Sequence, residues 1–168
     1  MTEPLHFVRP SRVPQSATSR RLLCVFDGGD APGYSSVAVA LTEEGTRRGY
    51  EVWAATEGFR SLGPDATQEL RFERLVVSRK ERYELLAKNI PTRSMGRRLL
   101  DPGSDFRSER YVGFLRPEIR AAAVETFQAQ GFSHLVCVGG NGTFEGERAW
   151  LEAFGAAPPA CGFVNVSI

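Results

Sequence analysis

The chain has 168 residues, 42% of them hydrophobic and 24% charged, with a formal net charge of +1. That length supports one compact domain with a real core rather than two. The charge balance creates no field that would draw nucleic acid or an acidic membrane surface, and no apolar run approaches the roughly twenty residues of a membrane-spanning helix, so neither partner is expected.

Residues 1–19 carry Pro4, Pro10 and Pro14 among serines and arginines, show no periodicity and no signal-like apolar stretch, and are expected to form a disordered arm. The folded unit is expected over 20–168. It opens with Leu22-Leu23-Cys24-Val25-Phe26, a continuous apolar run of strand length that ends at Asp27 and a glycine turn, Gly28-Gly29-Asp30-Ala31-Pro32-Gly33. Such a run suits a central parallel strand covered on both faces. The stretch from Tyr34 to Arg48 then places Val37, Ala40 and Leu41 on one helical face, with Gly49 as the C-terminal stop. Glu51 to Ala55 reads as a second strand, completing a βαβ unit.

The middle of the chain is read as irregular. A helix is expected from Ser78 to about Asn89, stopped by Pro91, followed over 90–110 by a long arginine-bearing loop with Arg93, Arg97, Arg98, Arg107 and Arg110. Pro117 then opens a helix on which Ile119, Ala122, Ala123 and Phe127 recur at helical spacing up to Gly131. His134 to Val138 forms the next strand and delivers a second glycine turn, Gly139-Gly140-Asn141-Gly142-Thr143. A helix over Phe144 to Phe154 and a strand over Ala160 to Val166 follow. The alternation predicts an α/β fold, a doubly wound parallel sheet with helices on both faces.

Three cysteines, Cys24, Cys137 and Cys161, each lie in an apolar run without metal-ligand spacing and read as buried thiols of a reducing compartment, hence a cytoplasmic location. Lysine occurs only at Lys80 and Lys88, so arginine dominates the cations, which suits bidentate phosphate binding and equally reflects codon bias. His6 and His134 suggest no catalytic arrangement.

A strand that runs into glycines and then opens a helix leaves backbone N–H groups unpaired where no side chain obstructs an approaching phosphate. Two such turns at neighbouring strand ends could hold one polyphosphate between them, and they could equally serve close packing alone. Taken together, the turns resemble the ATP-dependent phosphofructokinase family. Gly28-Gly29-Asp30-Ala31-Pro32-Gly33 is similar to its nucleotide loop, Glu57-Gly58-Phe59 to its Asp-Gly-Tyr, and Gly139-Gly140-Asn141-Gly142-Thr143 to its Gly-Gly-Asp-Gly-Ser/Thr. The resemblance runs from Arg20 to Ile168 and covers only the N-terminal, ATP-binding half of a family subunit.

The resemblance implies ATP as the bound nucleotide. Gly28 would bring backbone N–H to the phosphates and Phe59 would lie against the nucleotide. Arg110 matches the arginine of the family's Gly-Ser-x-Arg, with Arg107 at that motif's glycine, and Gly142, Thr143 and Gly146 match positions lining the ATP site. Gly142, where pyrophosphate-using relatives carry aspartate, favours ATP as donor. Asn141 stands where the family has a Mg²⁺-holding aspartate, so Mg²⁺ binding is expected to be weakened. The family's catalytic Thr-Ile-Asp-Asn-Asp would begin at the chain's end, Ser167-Ile168, so a partial phosphofructokinase inactive by itself is expected, with no catalytic residue assigned. A sugar phosphate is expected to bind only if a second lobe is supplied. The first helix, with Val39 and Glu43 and no arginine on the relevant face, implies no effector site of the bacterial type.

The alternative function is a non-catalytic nucleotide-binding subunit that pairs with a complete phosphofructokinase-like subunit. An α/β protein with dinucleotide-type turns, or a relative of lipid or NAD kinases, is a more distant reading. The last strand is expected to leave an uncovered sheet edge, and with it a tendency to homo- or hetero-oligomerise.

Overall fold

The computed structural model of the chain describes residues 20–29, 31–78, 84–87, 93–94, 108 and 110–166. The arm expected at 1–19, Arg107, the terminal Ser167-Ile168 and most of the arginine-bearing segment lie outside the described residues.

The strands are β1 (Arg20–Phe26), β2 (Tyr50–Phe59), β3 (Phe72–Ser78), β4 (Glu84–Ala87), β5 (Arg93–Ser94), β6 (Phe132–Gly139) and β7 (Ala160–Asn165). The helices are α1 (Tyr34–Arg47), α2 (Pro117–Ala129) and α3 (Asn141–Ala153), with short 3-10 turns at Arg60–Leu62 and Val112–Leu115. One sheet takes the order β5-β4-β3-β2-β1-β6-β7. Strands β2, β1, β6 and β7 run parallel, and β3, β4 and β5 extend the sheet in antiparallel fashion.

Strand β1 sits centrally, and alternation along it feeds two cores. Leu22, Cys24 and Phe26 face Tyr34, Ala38 and Val39 of α1. Leu23 and Val25 share the opposite core with Ile119, Ala123 and Phe127 of α2 and Trp150 of α3. Helices therefore cover both faces of an α/β sheet. Gly45 lets α1 lie close to β2, since a Cβ there would come within 2.6 Å of Val52. Helix α2 starts where the sequence dictates: Arg116 is extended, as a residue before proline must be, and Pro117 occupies the first turn.

Several expectations need correction. The α/β sheet with helices on both faces is as expected, whereas the antiparallel strands β3 to β5 that extend it are not. The helix expected from Ser78 to Asn89 is contradicted at Glu84–Ala87, which pairs antiparallel with β3 from Leu75↔Ala87 to Ser78↔Glu84. A few apolar residues cannot by themselves distinguish the two periods, and a neighbouring strand with unpaired backbone groups decides. Strand β3 was not anticipated, because the charged Glu73 and Arg74 interrupt its apolar pattern and Glu73 is nonetheless buried. Within 90–110, the two residues of β5 pair with β4. Ala40 is exposed, whereas Ala38 and Val39 are buried, so the packed face of α1 is rotated from the one expected and Val39 belongs to the core. Strand β2 continues past Ala55 to Phe59, and α3 begins at Asn141 rather than Phe144.

Among the described residues no helix is long and apolar enough to cross a membrane. Among the described residues strand β7 pairs with β6 alone and forms one edge of the sheet.

Candidate functional site

The chain leaves β1 through α1 toward β2 on one side, while β6 lies on the other side of β1 and leads through α3 to β7. Strand order therefore reverses between β1 and β6, and in open α/β sheets the crevice beyond the carboxyl ends of the strands at such a reversal is where ligands bind. Both glycine turns fall there. A cavity of about 520 Å³ opens between them.

Asp27 prolongs β1 by one ladder bond, its N–H donating to Val138 O at 3.0 Å. Its carbonyl oxygen accepts from Tyr34 Oη at 2.6 Å and lies 3.2 Å from Thr143 Oγ1, so the start of α1 and the start of α3 are both tied to the same residue. Its carboxylate is buried, with Oδ1 accepting from Phe59 N at 3.4 Å and Oδ2 lying 3.3 Å from Thr143 Oγ1. This seat requires absent side chains around it. A Cβ on Gly58, which has φ +55°, would stand 2.7 Å from Asp27 Oδ1, and one on Gly139 would stand 2.6 Å from Asp27 O and 2.2 Å from Thr143 Oγ1.

Three other glycines of the turns behave differently. A Cβ built on Gly29, Gly140 or Gly142 meets nothing within 4 Å, and none of the three has positive φ. Neither packing nor backbone conformation demands glycine at these positions, and all three line the cavity. Gly140 caps α3 without any side-chain hydrogen bond. The N–H groups of the first helical turn thus point out of the helix with no intrahelical partner, at the positive end of its dipole.

The remaining wall comes from the segment 110–115 and the end of β2. Phe59 and Phe114 stack with ring centroids 4.3 Å apart and planes 12° apart, and both lie edge-on to Trp150. Phe59 is only 2% exposed, so its ring backs the wall beneath Phe114. Arg120 Nη1 donates to Phe114 O at 3.0 Å and Leu115 O at 2.6 Å, fixing the 3-10 turn. Tyr111 donates to the Asp65 carboxylate and lies under the Arg60 guanidinium, 5.1 Å from the ring centroid. Burial and the Asp65 carboxylate together raise the Tyr111 pKa. Val112 and Leu115 stand 71% exposed at this rim.

Of the residues that the sequence pointed to, Gly28, Phe59, Arg110, Asn141, Gly142, Thr143 and Gly146 all line this one cavity. Thr143 is buried and directed at Asp27, whereas Asn141 and Arg110 are exposed. Sequence reasoning missed Asp27 and the wall residues Tyr111 and Phe114. A carboxylate closing an apolar strand just before a glycine turn is a signal that could have found the first. The wall carries no such signal, because it is assembled from segments far apart in the chain.

Glu57, part of the Glu57-Gly58-Phe59 motif, lies off the cavity. Its buried carboxylate accepts from Thr67 N at 2.9 Å, Gln68 N at 3.2 Å and the Thr67 hydroxyl, anchoring that loop. Burial raises its pKa, but these hydrogen bonds and Arg60 outweigh it and hold the group below the ordinary value. Among the described residues no cluster of three or more His, Cys, Asp or Glu side chains could hold a metal ion. Among the residues lining the cavity, Asp27, Asn141 and Thr143 carry hard oxygen donors, a carboxylate, an amide and a hydroxyl. That set fits Mg²⁺, which takes one or two protein carboxylates and completes its shell with water and phosphate.

A family profile described as Phosphofructokinase matches residues 21–166. The chain is 26% identical over 136 residues to an ATP-dependent 6-phosphofructokinase of Actinobacillus succinogenes, a match that covers 81% of this chain and 36% of that protein. It is 28% identical over 138 residues to the enzyme of the same name from Glaesserella parasuis, covering 82% and 37%. The chain therefore spans about a third of the length of the curated relatives it matches. In fold it is similar to Pichia pastoris phosphofructokinase in the T-state, with a TM-score of 0.64 at 15% identity over 95% of this chain and 17% of that one.

Proposed function

Since the chain belongs to the phosphofructokinase family, we propose that it supplies the nucleotide-binding part of a phosphofructokinase site and binds ATP between its two glycine turns. The observation that carries this reading is the trio Gly29, Gly140 and Gly142. Each lines the cavity, and a Cβ added at each would meet no other atom within 4 Å.

In this reading the turn N–H groups and the open first turn of α3 receive the phosphates. Arg110, exposed on the same cavity, adds a cation. The apolar rim of Val112 and Leu115, set on Phe114, offers a surface for a flat base, and Phe59 acts by supporting that surface. Thr143 holds the two turns in register. Mg²⁺ accompanies the triphosphate, supplying charge neutralisation when bound, and Asn141 contributes a neutral ligand where a carboxylate would bind more strongly.

Phosphoryl transfer also needs a base within reach of the accepting hydroxyl. The one carboxylate among the described cavity residues, Asp27, is engaged with Phe59 N and Thr143. The chain is accordingly proposed to bind nucleotide without turning it over by itself, fructose 6-phosphate and its phosphorylation requiring a second lobe.

Isothermal calorimetry of the full chain with ATP, ADP and pyrophosphate, alongside a coupled assay for ADP release with fructose 6-phosphate, tests this. Micromolar to millimolar binding of ATP and ADP, weaker binding of pyrophosphate and no turnover are expected. An absence of any nucleotide binding would sink the reading, and measurable turnover would remove its non-catalytic half.

A further inference from the structure

Phe114 anchors the middle of the wall segment 111–116 by burial, but its neighbours Val112 and Leu115 are exposed, and the ends of the segment must be fixed in another way. Both ends meet one carboxylate. Asp65, in the loop that follows β2 and the 3-10 turn Arg60–Leu62, accepts a hydrogen bond from the Tyr111 hydroxyl on Oδ2, and Arg116 Nη2 stands 3.2 Å from the same oxygen. Backbone bonds from Phe114 N to Tyr111 O at 3.0 Å and from Arg116 N to Gly113 O at 3.1 Å close the turn between them.

The seat of Tyr111 is built for that contact. Its ring lies under the Arg60 guanidinium and against Gly113, where a Cβ would come within 2.5 Å of two ring carbons. A side chain at position 113 would push the ring out and draw the hydroxyl from Asp65. Tyr111 lines the cavity, whereas Asp65 and Gly113 do not. Asp65 is also exposed, and exposed pairs contribute little to the stability of a whole domain. Its contacts shape one segment without carrying the fold.

Resting on the nucleotide reading, we propose that Asp65 is a positioning residue that sets the preference of the cavity for a nucleotide over a bare polyphosphate. It touches no ligand. Through Tyr111 and Arg116 it holds the rim of Val112 and Leu115 in the shape that receives the base before the ligand arrives, so that binding does not also have to order the segment. The glycine-turn N–H groups that receive the phosphates lie outside the segment and keep their geometry without it.

Calorimetry of the full chain with ADP and with tripolyphosphate tests this, alongside thermal melts. Asp65→Ala is expected to weaken ADP binding about tenfold and tripolyphosphate binding less than about threefold, with the thermal midpoint nearly unchanged. Asp65→Asn keeps an acceptor oxygen for Tyr111 and should recover most of the ADP affinity. Tyr111→Phe should lose ADP affinity as Asp65→Ala does, and the double variant should lose no more than either alone, because both remove the same contact. In the ligand-free chain, amide hydrogen exchange at Phe114 and Arg116 is expected to quicken about tenfold in Asp65→Ala and to slow again with ADP, a readout independent of affinity. Equal weakening of ADP and tripolyphosphate, unchanged ADP affinity, an asparagine variant as impaired as the alanine one, additive losses in the double variant, or unchanged exchange each overturns the inference and leaves the nucleotide reading intact. An unaltered chain that binds neither ATP nor ADP overturns the nucleotide reading, and the role of Asp65 with it.

Discussion

Thr143 Oγ1 stands 3.2 Å from the carbonyl oxygen and 3.3 Å from Oδ2 of Asp27, a residue 116 positions earlier in the chain. This contact joins the first turn of α3 to the end of β1 and holds the two glycine turns at a fixed separation. A single hydroxyl proton can serve one of the two oxygens at a time, and both choices keep the turns together.

Removing that hydroxyl takes one donor from the buried oxygens of Asp27, of which the carbonyl keeps Tyr34 Oη, and a lost buried hydrogen bond costs on the order of 1 kcal/mol. Thr143→Val is expected to lower the urea midpoint by a corresponding amount, and Thr143→Ser to recover most of the loss. Equal midpoints for the valine variant and the unaltered chain would show that the contact carries no stability.

The glycines of the second turn are expected to separate into two kinds. Gly139→Ala places a Cβ 2.2 Å from Thr143 Oγ1 and 2.6 Å from Asp27 O, an overlap that backbone atoms cannot easily relieve, and should destabilise by roughly 2 kcal/mol or more. Gly142→Ala meets nothing within 4 Å, so it should leave the thermal midpoint nearly unchanged and instead reduce ATP affinity several-fold. Calorimetry and thermal melts on the pair read the two effects separately.

Glu147 of α3 is buried, and its Oε1 has no hydrogen-bond partner among the described residues. Burial raises its pKa from 4.5 to about 7, with a hydrogen bond to Cys137 opposing. The folded value lies above the unfolded one, so the neutral carboxyl's contribution is fully present below pH 4.5 and is lost as pH rises through about 7. Glu147→Met should flatten the stability profile across that window and raise stability above it. Denaturant melts from pH 4 to 8 check this, and parallel profiles for the two proteins would contradict it.

The cysteines differ in access. Burial pushes the Cys24 thiol up to about 12 and the Cys137 thiol well above its ordinary value, whereas Cys161 is exposed, with its pKa raised by partial burial and by Glu147. Ellman's reagent at pH 8 is expected to label Cys161 alone in the folded chain, slowly, and all three thiols in denaturant. Rapid labelling of more than one thiol in the folded chain would show that the core opens readily.

Much of the fold is legible where local pattern and tertiary role coincide. Leu22 to Phe26 is apolar at every position because β1 is buried on both faces, and Pro117 and Gly131 bracket α2 because the helix needs an N–H-free start and a left-handed stop at φ +70°. The place of Gly28, Asn141, Gly142 and Thr143 on the cavity was legible too, since the two glycine turns follow apolar runs of strand length and so fall at strand ends. Glu84 to Ala87 was not legible, because its extended state is set by pairing with β3 rather than by its own period. Nor was the seating of Phe59 under Phe114, a contact between residues that no local pattern relates.

The sequence by itself determined the family, the alternation of strand, glycine turn and helix, and the glycine-turn part of the cavity lining. These follow from chemistry that each short segment carries alone: backbone preference, side-chain periodicity and the spacing of glycines. Only the tertiary structure decided that β3 to β5 run antiparallel and that Asp27 is the junction of both turns. Those outcomes depend on which distant groups come within hydrogen-bonding and packing distance, and that is fixed only when the sheet assembles.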